Sequence, residues 1–181
     1  LPIYKVYRPA QDAVLDRLRA SGARRIVDVG CGTGILSARI AEELHPDAIY
    51  GCDMSDGMLA NARARSSAVH WIKTPAEQLP FDDASVDAVV STNAFHFFDQ
   101  PAAVAEFHRV LVPGGQMMIG VLNPENLARR AMLWIGTAGG SMGNFPTPEK
   151  MRELAITAGF TAVEHHTIRA WSGEGLTVAT K

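Results

Sequence analysis

Three glycines stand close together in the sequence, at a point where a bare backbone could hold a ligand. Gly30, Gly32 and Gly34 lie in the segment VDVGCGTG, directly after a short apolar run. Glycine weakens regular structure, so its repeated use at the end of a strand suggests a functional reason. A turn without side chains lets a ligand approach the backbone closely, and the N-terminus of the following helix offers free N–H groups.

An acidic residue, Asp53, ends the next apolar run, 19 residues after Gly34. In open α/β sheets an acid at this position typically accepts hydrogen bonds from the hydroxyl groups of a ribose. The glycine turn and Asp53 together predict a site for an adenosine-containing ligand. The glycine spacing G-C-G-T-G differs from the dinucleotide-binding pattern G-x-G-x-x-G, because Ile35 occupies the position of its third glycine.

His96, in the segment NAFHFF, is the candidate for a catalytic base. Histidine titrates near neutral pH and can remove a proton from a hydroxyl group or an acidic carbon. The ring could instead line the substrate site or pack among the neighbouring phenylalanines, and these alternatives stay open. His165 and His166 are adjacent in a predicted strand and therefore face opposite sides, so no metal site is predicted there.

Helical and strand-like segments alternate along the chain and predict how these residues are positioned. Five apolar strands alternate with helices, which is typical of a parallel sheet covered on both faces: RRIVDVG, DAIYGCD, VHWIK, SVDAVVSTNAF and GGQMMIGVL. Two final strands, FTAVEHHTIRA and GLTVATK, are joined by a short turn and must pair antiparallel. We expect a single α/β domain over residues 1–181, with a Rossmann-like, seven-stranded, mostly parallel sheet and a C-terminal antiparallel hairpin. Ligands of such sheets bind at the carboxyl ends of the strands, beside the first strand.

The glycine spacing resembles motif I of the class I S-adenosylmethionine-dependent methyltransferases. Further segments resemble the ubiquinone- and menaquinone-biosynthesis branch of that family: PAEQLPFDDASVDAVVSTNAFHFF, EFHRVLVPGGQMMI and TPEKMRELAITAGF. The resemblance implies S-adenosylmethionine as the cofactor and an enzyme that moves its methyl group, by in-line displacement, to carbon, oxygen or nitrogen of a small apolar or aromatic acceptor. Two alternatives remain: a catalytically inactive S-adenosylmethionine-binding module of the same fold, and an NAD-type dehydrogenase, which the glycine spacing opposes.

The resemblance also assigns residues to the cofactor: Gly30, Cys31, Gly32, Gly34, Asp53, Met54, Ala76, Glu77 and Asn93. It implies that the glycine loop and the backbone of Asn93 contact the methionine part, that Asp53 holds the ribose hydroxyls and that Met54 lies against the adenine. Ala76 and Glu77 would lie at the adenine edge. Members of the family often carry an aspartate just before this pair. Pro75 stands there and offers no acceptor for the adenine amino group.

Residues 123–148 are the predicted substrate side of the domain. Trp134 and Phe145, together with Phe95, could line an apolar pocket, although an apolar helix face buried in the core is the plainer interpretation. Tyr7 and Arg8 precede the first predicted helix, which begins at Pro9. They could fold back over the site, where Arg8 would pair with the carboxylate of the cofactor.

Composition narrows the classes of partner. The chain has 181 residues, a formal net charge of −2 and 47% hydrophobic residues, which fits one ordinary globular domain. A nucleic-acid partner is not expected, because such proteins usually carry a basic face. Neither a membrane-spanning run nor a signal-peptide pattern is visible, so a cytoplasmic location is expected. Cys31 and Cys52 are too few for a disulfide framework or a four-thiolate zinc site. A homodimer is a further expectation, since a second subunit could complete the acceptor site.

Overall fold

The computed structural model describes residues 4–122, 144–169 and 173–181. Its helices are α1 (Tyr4–Ser21), α2 (Ile35–Leu44), α3 (Asp56–Arg65), α4 (Gln100–Val110) and α5 (Pro148–Ala158). Its strands are β1 (Arg25–Val29), β2 (Ala48–Asp53), β3 (His70–Lys73), β4 (Val86–Thr92), β5 (Leu111–Leu122), β6 (Ala162–Arg169) and β7 (Glu174–Thr180). A short 3-10 helix, Phe95–Phe97, lies between β4 and α4.

The strands form a seven-stranded sheet in the order β3-β2-β1-β4-β5-β7-β6. The first five pair parallel, and β7 pairs antiparallel with both β5 and β6, which confirms the predicted fold class. The order of the strands reverses between β1 and β4. The carboxyl ends of β1, β2 and β4 therefore frame the crevice where ligands of such sheets bind.

Each face of the sheet is covered by helices whose apolar residues are fully buried. On one face, Val14 and Leu18 of α1 and Ile40 of α2 pack in one cluster. On the other face, Phe107 of α4 and Met151 of α5 pack in a second cluster. Burial of such a side chain contributes about 1.5–3 kcal/mol, so these helices are anchored firmly beneath the crevice.

The first helix differs from its prediction. It begins at Tyr4 and contains Pro9, so Tyr7 and Arg8 belong to the helix and do not form a separate arm in front of it. The apolar face of α1 packs on the sheet, and this burial outweighs the backbone hydrogen bond that Pro9 cannot donate. Most of the predicted substrate side, residues 123–143 with Trp134, lies outside the described residues.

None of the helices in the described ranges is long and apolar enough to cross a lipid bilayer.

Candidate cofactor site at the carboxyl edge of the sheet

A cavity of about 370 Å³ opens at the carboxyl ends of β1 and β4. Several residues assigned from sequence line it, namely Gly30, Cys31, Gly32 and Asn93. Tyr7, which the sequence analysis placed over the site, and Ile35 also line it. Residues that the sequence analysis did not single out complete the wall: Gln11, Asp28, Thr33, Leu36, Met58 and Thr92. The cavity thus lies at the predicted edge, and α1 closes one side of it.

The three positions of the loop require glycine for different structural reasons. All have positive φ, a conformation that favours glycine. A Cβ on Gly30 would lie 2.4 Å from Cβ of Ala94, and a Cβ on Gly34 would lie 2.4 Å from Cη2 of Trp71. A Cβ on Gly32 would have no heavy atom within 4 Å. Gly30 and Gly34 therefore make room for packing inside the protein, and Gly32 leaves its open side to the cavity.

Hydrogen bonds join the glycine loop to the end of β2. The N–H groups of Gly30 and Cys31 both donate to the carbonyl oxygen of Cys52, at 2.8 and 3.0 Å. Asp53 Oδ2 accepts from the N–H of Gly32 at 2.8 Å, and its Oδ1 accepts from the N–H of Ser55 at 2.8 Å. The carboxylate of Asp53 therefore fixes two loops at once, and each oxygen keeps a lone pair that a ribose hydroxyl could use.

Asp28 is a site residue that the sequence analysis missed. Its carboxyl group lines the cavity and is 1% exposed, and the hydroxyl of Ser37 donates to its Oδ2 at 2.6 Å. Burial disfavours the carboxylate and raises the pKa of Asp28 to about 7. The signal was present in the sequence, because Asp28 is an acid between the apolar residues Val27 and Val29 of β1. Such a group would be stabilised in its charged form by a cation in the cavity.

The two cysteines lie on opposite faces of the sheet. Cys52 is fully buried in the cluster that includes Phe107. Successive residues of a strand face opposite sides of the sheet, so a Cβ built on Gly51 would point away from the face that holds Cys52. Such a Cβ would lie 3.3 Å from the sulfur of Cys31. Burial raises the pKa of the Cys52 thiol to about 12 and also raises that of Cys31. Both thiols are therefore protonated at neutral pH.

The residues assigned to the adenine, Met54, Ala76 and Glu77, are not among those that line the cavity. The side chain of Met54 is 58% exposed just beyond β2, whereas Ala76 is buried in the core. Oε1 of Glu77 accepts from the N–H of Asp99 at 2.8 Å, so Glu77 holds the start of α4. Met58, in the first turn of α3, does line the cavity.

Beyond β4 the chain turns sharply at Asn93. This residue has a φ of 57°, and its N–H donates to the carbonyl oxygen of Gly120 at 2.9 Å. A non-glycine residue in the left-handed region is uncommon and often marks a functional turn. The turn presses Ala94 against Gly30 and begins the 3-10 helix that carries Phe95 and His96.

His96 lies in a cluster of aromatic rings shortly after the turn at Asn93. Its ring is 4.3 Å from that of Phe145, nearly parallel at 19°, and 4.0 Å from that of Phe97. Burial lowers the pKa of His96 to about 4, so the imidazole is neutral at physiological pH. Phe97 is 71% exposed, while Phe95 is fully buried. His96 as a base or substrate-lining residue stays a prediction, and Trp134 lies outside the described residues.

Backbone contacts bring Phe145 to His96. The N–H of Asn144 donates to the carbonyl oxygen of His96 at 3.0 Å, and Gln100 Nε2 donates to the carbonyl oxygen of Asn144 at 2.5 Å. The segment before α5 is thus attached to the start of α4. Within the described parts of the chain, no cluster of histidine, cysteine and acidic side chains has the arrangement of a metal site.

Comparison with known proteins identifies the domain that contains the glycine loop, Asp53, Asn93 and His96. Residues 27–119 match a family described as a methyltransferase domain. A malonyl-acyl-carrier-protein O-methyltransferase from Hahella chejuensis is 36% identical over 138 residues, which cover 74% of this chain and 50% of that protein. A demethylmenaquinone methyltransferase from Thermus thermophilus is 28% identical over 180 residues, covering 85% of this chain and 80% of that protein.

A solved structure shares the fold over nearly the whole chain. The S-adenosylmethionine-dependent methyltransferase from Thermotoga maritima superposes with a TM-score of 0.74 at 24% sequence identity, covering 98% of this chain and 92% of that one. By contrast, the chain spans about half the length of the Hahella relative, which is 50% covered.

Proposed function

This chain belongs to the class I S-adenosylmethionine-dependent methyltransferases, and we propose that it binds S-adenosylmethionine beside Gly32 and moves the methyl group to a small acceptor. The observation that carries the proposal is the cavity of about 370 Å³ at the point where the strand order reverses. Cavities of this size are typical of small-molecule and cofactor sites. Gly32 leaves the cavity open on the side of the loop.

The side chains around the cavity fit a cofactor that joins a nucleoside to an amino acid. Asp53 would accept the ribose hydroxyls with the lone pairs that Gly32 and Ser55 leave free. Asp28, a buried carboxyl group in the cavity wall, would balance positive charge at the amino-acid end. The bound cofactor supplies an already activated methyl group, so the tasks of the protein are alignment and exclusion of water.

The acceptor in this proposal is a small apolar or aromatic molecule that carries the reacting carbon, oxygen or nitrogen atom. The support is the cluster of the Phe97, His96 and Phe145 rings just after the turn at Asn93, with Phe97 exposed for contact. Aromatic faces stack well on other planar rings. A neutral imidazole completes this apolar surface without adding charge, so uncharged acceptors suit it best.

In this proposal His96 lines the acceptor site, and a role as base is its second possibility. With a pKa of about 4 the ring is free to accept a proton at neutral pH, but it is a weak base. It could therefore remove a proton only from an acceptor that is already acidic. An amine acceptor in its neutral form would need no base before it attacks.

An inactive binding module of the same fold is the alternative, because Pro75 offers no side-chain acceptor for the adenine amino group. One neutral hydrogen bond is worth only about 0.5–1.5 kcal/mol, so we expect binding to survive its loss. An assay for S-adenosylhomocysteine formed with a panel of phenolic and apolar acceptors distinguishes the active methyltransferase from the inactive module. Product formation would exclude the inactive module.

The first experiment is calorimetric titration of the protein with S-adenosylhomocysteine, with NADH as the control. We expect binding of S-adenosylhomocysteine alone, and the opposite preference would contradict the proposal and favour the dehydrogenase. Asp53→Ala should weaken this binding at least about tenfold, since hydrogen bonds to a charged group are worth roughly 1.5–3 kcal/mol. Asp16→Ala, at an exposed acid of α1 that pairs with Arg19, is the matched control. Unchanged affinity in Asp53→Ala would mean that the ribose lies elsewhere.

A cytoplasmic location and a homodimer stay predictions of this proposal. Cys31 and Cys52 are both free thiols, as is usual in a reducing compartment, and this supports the first prediction. Sedimentation velocity of the protein with and without S-adenosylhomocysteine would test the second, since it measures the mass of the particle directly.

A further inference from the structure

Helix α1 brings a glutamine into the wall of the cofactor cavity. Tyr7 and Gln11 are one helical turn apart and both line the cavity, and Gln11 is 8% exposed. Arg8, the residue that the sequence analysis associated with the cofactor carboxylate, lies on the solvent side of the helix. Its Nε is 3.9 Å from Oδ2 of Asp12, and its contact with the cofactor carboxylate stays a prediction.

An arginine of α2 fixes the orientation of the Gln11 amide. Arg39 Nη1 donates to Gln11 Oε1 at 3.3 Å, and its Nη2 donates to Asp12 Oδ1 at 2.7 Å. Its Nε donates to Glu43 Oε1 at 3.0 Å. A guanidinium group has donors only, so the atom of the amide that faces Arg39 must be the oxygen. The amide nitrogen of Gln11 therefore points away from Arg39, and within the described residues it has no protein acceptor.

The free amide nitrogen and Asp28 give the cavity two groups of opposite polarity. The Gln11 N–H groups can only donate, which suits an anionic oxygen. The buried carboxyl group of Asp28 suits a cation. An α-amino acid carries both groups on one carbon. Building on the function proposed above, we propose that Gln11, oriented by Arg39, binds the carboxylate at the methionine end of the cofactor.

The test uses two ligands that differ only at the methionine end. 5′-Methylthioadenosine keeps the nucleoside and the sulfur of S-adenosylhomocysteine but lacks its amino acid. Gln11→Glu has nearly the same shape and replaces the donor by an anionic acceptor. We expect this change to weaken S-adenosylhomocysteine binding at least about tenfold and to leave 5′-methylthioadenosine binding unchanged, because an unpaired or repelled charge is costly in a buried site. Gln116→Glu, at the opposite edge of the sheet, is the matched control.

Arg39→Lys tests the positioning role. Lysine keeps the positive charge beside Asp12 but loses the planar fork that fixes the amide. We expect a smaller loss of S-adenosylhomocysteine affinity than in Gln11→Glu, again without loss of 5′-methylthioadenosine binding. Equal weakening of both ligands would mean that Gln11 only supports the fold, and unchanged affinities in Gln11→Glu would also overturn the inference. If the wild-type protein bound neither ligand, the proposed function itself would fail.

Discussion

At the scale of single residues, the glycines of the loop meet two different structural requirements, close packing and an open side, which the sequence alone does not distinguish. Gly34 is bare because Trp71 occupies the space of its missing side chain, and Gly32 is bare on a side that faces open space. Both have positive φ, at 75° and 56°. One position therefore serves packing, and the other is available to a ligand.

We expect Gly34→Ala to lower the free energy of unfolding by about 2–5 kcal/mol, since it adds an overpacked contact to a left-handed backbone. Gly32→Ala has only the backbone cost, about 1–2 kcal/mol. Its main effect should be weaker binding of S-adenosylhomocysteine. Urea unfolding and calorimetric titration of both variants measure the two quantities. Equal stability losses in the two variants would contradict this division of roles.

The pKa of Asp28 predicts how stability depends on pH. Burial raises the folded-state pKa of this carboxyl from 3.8 to about 7. The folded protein thus holds a proton that the unfolded chain releases, and the stability contributed by this proton is present below the lower value. It is lost as the pH rises through the window between the two values.

Asp28→Asn should flatten this part of the pH profile, because the amide has no proton to lose. Its carbonyl oxygen can still accept from the hydroxyl of Ser37. Urea unfolding of both proteins at about pH 5 and about pH 8 makes the comparison. We expect the wild-type protein to lose more stability than the variant between these conditions. Parallel profiles would show that Asp28 is not the titrating group.

At the scale of elements, α4 holds the loop that follows β3. Arg109 donates to both carboxylate oxygens of Glu106, at 2.8 and 2.7 Å, and to Asp83 at 2.7 Å. It also donates to the carbonyl oxygens of Phe81 and Leu79, at 2.8 and 3.1 Å. Hydrogen bonding to Arg109 lowers the pKa of Glu106, which keeps this side chain charged. One guanidinium group thus ties together the loop that continues from Ala76 and Glu77.

Arg109→Lys should destabilise the protein by about 1–3 kcal/mol, because a lysine cannot reproduce the fork of five donors. We expect no larger loss of stability, because the side chain of Arg109 is partly exposed to solvent. Arg152→Lys is the matched control, at an exposed arginine that donates to the carbonyl oxygen of Val163. Thermal unfolding of the wild-type protein and of the two variants measures the difference in stability. A loss no larger than that of the control would show that the loop holds its shape without Arg109.

At the scale of the whole molecule, the order of the elements could be predicted because it depends on local patterns. Apolar runs bounded by glycine or charged residues indicate strands, and the short turn before β7 requires an antiparallel pair. Gly30 and Asn93 were assigned through a resemblance that spans most of the chain, and the cavity does lie between them. The cofactor followed from the same motifs.

The rest depends on contacts between residues far apart in sequence. Because Pro9 favours a helix start, the sequence did not indicate the preceding turn of α1, which brings Tyr7 to the cavity. The orientation of Gln11 depends on Arg39, 28 residues away. The burial of Asp28 depends on Ser37 and on packing that no periodicity reveals. Such arrangements arise only when the sheet and helices are assembled.

The packing of Trp71 has a practical consequence. Its ring lies against the glycine loop at Gly34 and against β2 at Gly51, and its indole N–H donates to the carbonyl oxygen of Ser66 at 3.0 Å. The emission of an indole responds to small changes in its surroundings. We therefore expect occupancy of the cavity to change the tryptophan emission of the protein, to which Trp71 contributes together with Trp134 and Trp171.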